Sequence, residues 1–98
     1  MTEIFVGFID EKTKKEYENS KKEDANLFKL LERATDDLKI NPEIGIKIPK
    51  RLWPKEYVKK YKINNLWKYD LPNAWRLIYT IAKDEVKIMA IILEWMDH

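Results

Sequence analysis

Arg76 lies inside the run Trp75-Arg76-Leu77-Ile78-Tyr79, with strand-forming residues on both sides. A guanidinium in that position is costly unless its head reaches water or an anion. It stays charged and grips phosphate oxygens with two parallel hydrogen bonds. The bland use of the same group is a pair with Asp70 across a hairpin. His98, the only histidine, titrates near neutrality and can give or take a proton, or it can fray at the chain terminus and do nothing. Residues 47–68 carry Lys47, Lys50, Arg51, Lys55, Lys59, Lys60, Lys62 and Lys68, with Glu56 as the lone acid. Trp53, Tyr57, Tyr61, Trp67 and the nearby Tyr69 are interleaved with them. Cations of this kind neutralise phosphates and flat rings stack on unpaired bases. The same residues also make an ordinary solvated lysine-rich surface with aromatic anchors.

Residues 65–95 must position these groups. They read as three consecutive antiparallel strands, over 66–71, 75–82 and 86–95. Pro72 and Asn73 turn the chain after the first, and Lys83, Asp84 and Glu85 after the second. Alternation on the middle strand puts Trp75, Leu77, Tyr79 and Ile81 on one face and Arg76, Ile78, Thr80 and Ala82 on the other. Trp67, Trp75 and Trp95 read as core rather than stacking platforms, because tryptophan buries most of its area. Upstream, residues 4–9 form a first or edge strand, and Asp10 caps a solvated helix whose only large apolar residue is Tyr17. Ser20 and Glu23 have capping-box spacing and introduce a second helix. Its stripe is Leu27, Leu30, Leu31, Ala34 and Leu38, and Asn41-Pro42 ends it. Residues 45–48 make a short edge strand held brief by Pro49 and Pro54, and 54–62 a helical turn. The fold class is α+β: two N-terminal helices on a small, mostly antiparallel, twisted sheet of about four strands, one domain over 1–98.

Composition narrows the chemistry. The absence of cysteine excludes disulfides, thiolate catalysis and cysteine metal sites. With one histidine, a protein metal site would have to be carboxylate-rich, and no such spacing is present. The acidic start MTEIFVGFID lacks the pattern of a signal peptide, and no apolar run nears the ~20 residues that span a bilayer. A cytoplasmic protein is expected. A net charge of +2 is too small to diagnose nucleic-acid binding, so only the local clustering of cations speaks to it.

The order of elements, the stretch Asn65-Leu66-Trp67-Lys68-Tyr69, the run Trp75-Arg76-Leu77-Ile78-Tyr79 and the ending Glu94-Trp95-Met96-Asp97-His98 resemble the RelE/ParE toxin superfamily. The resemblance implies the toxin half of a two-gene toxin–antitoxin module. RelE-like members cut mRNA in the ribosomal decoding site, whereas ParE-like members inhibit DNA gyrase without nuclease activity. An inactive member that only docks RNA or a partner protein is a third reading. The implied cut is a transesterification in which the ribose 2′-OH attacks the neighbouring phosphorus, and it needs neither metal nor cofactor. Arg76 then matches the mid-strand arginine that binds the scissile phosphate, and Lys68 a basic residue on the preceding strand. His98 matches a C-terminal acid/base histidine, and Glu56 falls where one branch places a general base. Lys47 would hold the backbone or stabilise charge, and Lys50 and Arg51 would position RNA. The chain departs from the pattern at Asp70, where a second basic residue is common, and it ends at His98, before the tyrosine that usually follows. The implied partners are mRNA on the ribosome and a cognate antitoxin that lays an amphipathic segment on the domain; no membrane is involved.

Overall fold

The computed structural model describes residues 3–84 and 87–97. Strand β1 (Glu3–Phe8) is followed by helices α1 (Glu11–Glu23) and α2 (Ala25–Ile40), then by the two-residue strand β2 (Ile46–Lys47). Helix α3 (Lys55–Tyr61) precedes strands β3 (Trp67–Asp70), β4 (Trp75–Lys83) and β5 (Lys87–Asp97). The strands form one mixed sheet in the order β1-β5-β4-β3-β2. β1 runs parallel to β5, and the other neighbours are antiparallel. The architecture is therefore α+β, as expected, with a third α-helix beyond the expected two, and all five stretches read as strands join the sheet where about four were counted.

The helix-side core follows from periodicity. Leu27, Leu31, Ala34 and Leu38 form one stripe of α2 and are buried against Leu77, Tyr79, Ala90 and Ile92 of β4 and β5, whereas Leu30, expected in the same stripe, is only partly buried and lies outside this cluster. Trp67, Trp75 and Trp95 pack on the same cluster, so these tryptophans serve the core. Helix α1, poor in apolar residues, docks through Tyr17, whose ring lies 5.0 Å from Phe8 and 5.1 Å from Phe28. Asp10 caps it by accepting from the Thr13 amide. The expected capping box at Ser20 is corrected. Ser20 lies inside α1 and donates to the Tyr17 carbonyl, while Asp24 caps α2 by accepting from Leu27 N. Asp24 also closes α1 through its own amide, so the two helices meet at a single shared residue. Asn41 ends α2, as the Asn41-Pro42 pair implies.

The link from α2 to β2 is held by Tyr79. Its buried hydroxyl donates to the Pro42 carbonyl (2.7 Å) and accepts from the Gly45 amide (3.2 Å). Burial pushes this phenol up to about 12. Gly45 is required here, because a Cβ would collide with the Lys68 backbone oxygen and lie 2.7 Å from the Tyr79 hydroxyl. Tyr69 makes a parallel tie by donating to the Asp37 carboxylate at 2.7 Å, pinning β3 to α2. No helix among the described residues is long and apolar enough to cross a membrane.

Candidate functional site

The sheet face turned away from α1 and α2 has a smaller core of its own. Helix α3 lies over it and buries Tyr57 with Leu66, Ile78 and Leu93, flanked by Ile48, Trp53, Tyr61 and Ile63. The segment read as a helical turn is thus a covering element. Its C-cap, Lys62, adopts the left-handed conformation (φ 51°), where its amide still reaches the Val58 carbonyl. The Trp53 indole ties the approach to α3 down by donating to the Ile48 carbonyl at 2.8 Å.

Because α3 covers only part of this face, it leaves an open cavity of about 590 Å³ beside it. The walls are mostly aliphatic, with Ile46, Leu52, Ile78 and Met96 among them. Four charged residues reach the cavity: Lys47, Lys68, Arg76 and Glu94. The strand register explains the grouping. Lys68 of β3 is paired with Ile78 of β4, which is paired with Glu94 of β5, and Arg76 is paired with Met96 one same-face step further on. Neighbouring strands are spaced by about 4.8 Å and same-face residues by about 7 Å along a strand. The backbone positions of Lys68 and Glu94 therefore lie on the order of 10 Å apart with Ile78 between them, and Arg76 stands about 7 Å along β4.

Arg76 is in the expected place, on the face opposite Leu77 and Tyr79, with 26% of its side chain exposed. It also makes the hairpin pair that the sequence allowed, donating from Nε to Asp70 at 3.0 Å. Lys47 borders the cavity from the edge of the sheet, although its register partner is Trp67. Lys50 and Arg51 lie exposed in a short 3₁₀ turn, between the cavity residues Pro49 and Leu52. Glu56 is exposed in the first turn of α3 and is not among the residues lining the cavity. His98, and with it the expected acid/base tail, lies outside the described residues, as do Glu85 and Val86 of the expected β4–β5 turn.

Glu94 was not singled out from the sequence, and the reason is local. Strict alternation along β5 would put Glu94 on the helix-covered face with Ala90 and Ile92. The register between β4 and β5 slips at Ile78/Tyr79, where Ile78 faces Glu94 but Tyr79 faces Ile92. Leu93 is the extra residue of this β-bulge, and it joins the α3-side core. Beyond it the parity of β5 is reversed. Trp95 turns to the helix side, and Glu94 comes into the cavity. Tyr57 leans on this carboxylate: burial raises its phenol above the ordinary range, and hydrogen bonding to Glu94 together with its negative charge raises it further. Among the described residues no cluster of three or more His, Asp or Glu side chains is placed to hold a metal ion.

No protein-family model matches the chain, and neither a curated protein nor a solved structure is detectably similar to it.

Proposed function

We propose that the chain is a RelE-like toxin, an endoribonuclease that cuts ribosome-bound mRNA by metal-independent transesterification and is neutralised by a cognate antitoxin in the cytoplasm. The observation that carries this reading is the two-sided sheet. One face is filled by α1 and α2, while the other opens on a cavity lined by Arg76 and Lys68, with Lys47 at its edge. Two cations in a hollow of about 590 Å³, with a third at its edge, suit a phosphodiester, whose pentavalent form gathers negative charge on the oxygens that a guanidinium can grip. In this mechanism Arg76 holds the scissile phosphate and Lys68 balances the charge that develops. Lys50 and Arg51, beside the mouth, steer the flanking backbone.

A second reading has its own support. The Asp70 carboxylate already engages Arg76, and most of the cavity wall is aliphatic, as befits a site that takes a protein segment. A ParE-like gyrase inhibitor or a non-enzymatic docking module would use it so. Purified protein added to translating ribosomes separates these readings. Cleavage inside the decoding site that disappears in Arg76→Ala supports the nuclease. Intact mRNA with blocked gyrase supercoiling supports the inhibitor, and neither activity supports the docking module.

A further inference from the structure

We propose that Glu94 is the proton acceptor of the cleavage reaction, a role that rests on the endoribonuclease reading above. Among the described residues, Glu94 is the one carboxylate that lines the cavity. The other acids near the basic segment are placed elsewhere: Asp70 is paired with Arg76, and Glu56 is exposed on α3. The titratable groups that share the cavity with Glu94 come from several elements. They are Lys68 from β3, Arg76 from β4 and the Tyr57 phenol from α3, with Lys47 of β2 at the cavity's edge in the row of Trp67.

The geometry divides the chemistry between two sides of one residue. Glu94 and Lys68 flank Ile78 in a single cross-strand row, and Arg76 lies one same-face step away. A phosphate held by Arg76 over Ile78 would have its ribose on one flank and its leaving oxygen on the other. On the Glu94 flank the carboxylate removes the 2′-hydroxyl proton and the 2′-oxygen bonds to phosphorus. The bond from phosphorus to the 5′-oxygen breaks, and that oxygen takes a proton from the Lys68 ammonium. The products are a 2′,3′-cyclic phosphate and a 5′-hydroxyl. Solvent carries the proton from Glu94 back to Lys68, and nothing is oxidised or reduced. Tyr57 is a positioning residue, acting only through Glu94.

The two structural features that bring the carboxylate here also pack the α3-side core, since Leu93 and Tyr57 are both buried in it. A regular β5 would have kept the sheet ladder intact and left this face to apolar residues, but the bulge at Leu93 delivers an acid into the cavity. Tyr57, buried on the inner side of α3, lines the same cavity as that acid.

The test is single-turnover cleavage of mRNA on translating ribosomes by the full chain. Removing a general base slows the chemical step by about 100-fold or more. Glu94→Gln, which keeps the shape and an acceptor for Tyr57, is expected to show that loss with ribosome and mRNA binding unchanged. Added formate should restore part of the activity of Glu94→Ala, and none of that of Arg76→Ala. Tyr57→Phe should slow cleavage less than Glu94→Gln does. Wild-type rates in Glu94→Gln, or a defect in Glu94→Ala that formate does not relieve, overturn the assignment while an inactive Arg76→Ala leaves the nuclease reading standing. A wild-type chain that leaves ribosome-bound mRNA intact overturns both.

Discussion

The two faces of this sheet are built from the same strands and have different jobs. The helix side packs two helices against Leu77, Tyr79, Ala90 and Ile92, each at most 1% exposed, and its polar groups are spent on ties such as Tyr79 to Pro42. The α3 side buries only a small cluster and leaves charged side chains standing around a hollow. Stability is concentrated on one face, which frees the other to hold cations close together. Such crowding opposes folding, because like charges repel and each head group must stay hydrated or find a counter-ion.

If that division holds, substitutions on the two faces should separate stability from activity. Leu31→Ala, which empties a 2%-exposed position of α2, should cost about 2–5 kcal/mol in urea denaturation while the folded fraction keeps its activity. Arg76→Ala should do the opposite. Cleavage should fall by about 100-fold or more, as when a charge-stabilising donor is removed, with little change in the melting temperature. A large loss of stability in Arg76→Ala would mean that the Asp70 pair is structural and would erase the contrast. Tyr79→Phe leaves the Gly45 amide and the Pro42 carbonyl without their partner, and should cost about 1–3 kcal/mol.

Smaller effects sharpen the comparison. Asp10→Ala removes the cap of the solvated helix and should cost about 1 kcal/mol near neutral pH. The hydrogen bonds from Thr13 hold the Asp10 carboxyl below its ordinary value of 3.8. Its stabilising effect is therefore complete above that pH and is lost as the pH falls through the lower folded-state value. Thermal melts of wild type and Asp10→Ala should accordingly converge in strong acid. Lys62→Gly should stabilise the chain by about 0.5 kcal/mol, since glycine takes the left-handed conformation without the strain a lysine bears, less its larger unfolded-state entropy. A loss of stability there would show that the Lys62 side chain itself holds α3 in place.

Local rules carried the helix side. The leucine stripe of α2, the Asp10 cap, the Asn41-Pro42 stop and the alternation of Trp75 to Ala82 are short-range signals, and each has its expected counterpart in the structure. The helix boundary at Asp24 was missed because Ser20 and Glu23 mimic a capping box, while Asp24 serves as the end of one helix and the start of the next. Local signals in residues 54–62 support only a helical turn, where the structure has helix α3. Its sequence is short and mostly charged, and the apolar residue that matters most, Tyr57, has its partners Leu66, Ile78 and Leu93 far along the chain.

By itself the sequence determined that two helices would cover one face of a sheet and that Arg76 would point to the other. Both follow from side-chain period, which repeats within a few residues and needs no knowledge of the rest of the chain. Only the tertiary structure decided what would stand beside Arg76. A one-residue bulge against β4 reverses the parity of the last strand, and a short helix shields part of the face and leaves a hollow at its side. Both depend on how distant segments pair and pack, and so Glu94 entered the site while Glu56, inside the basic run in sequence, stayed outside it.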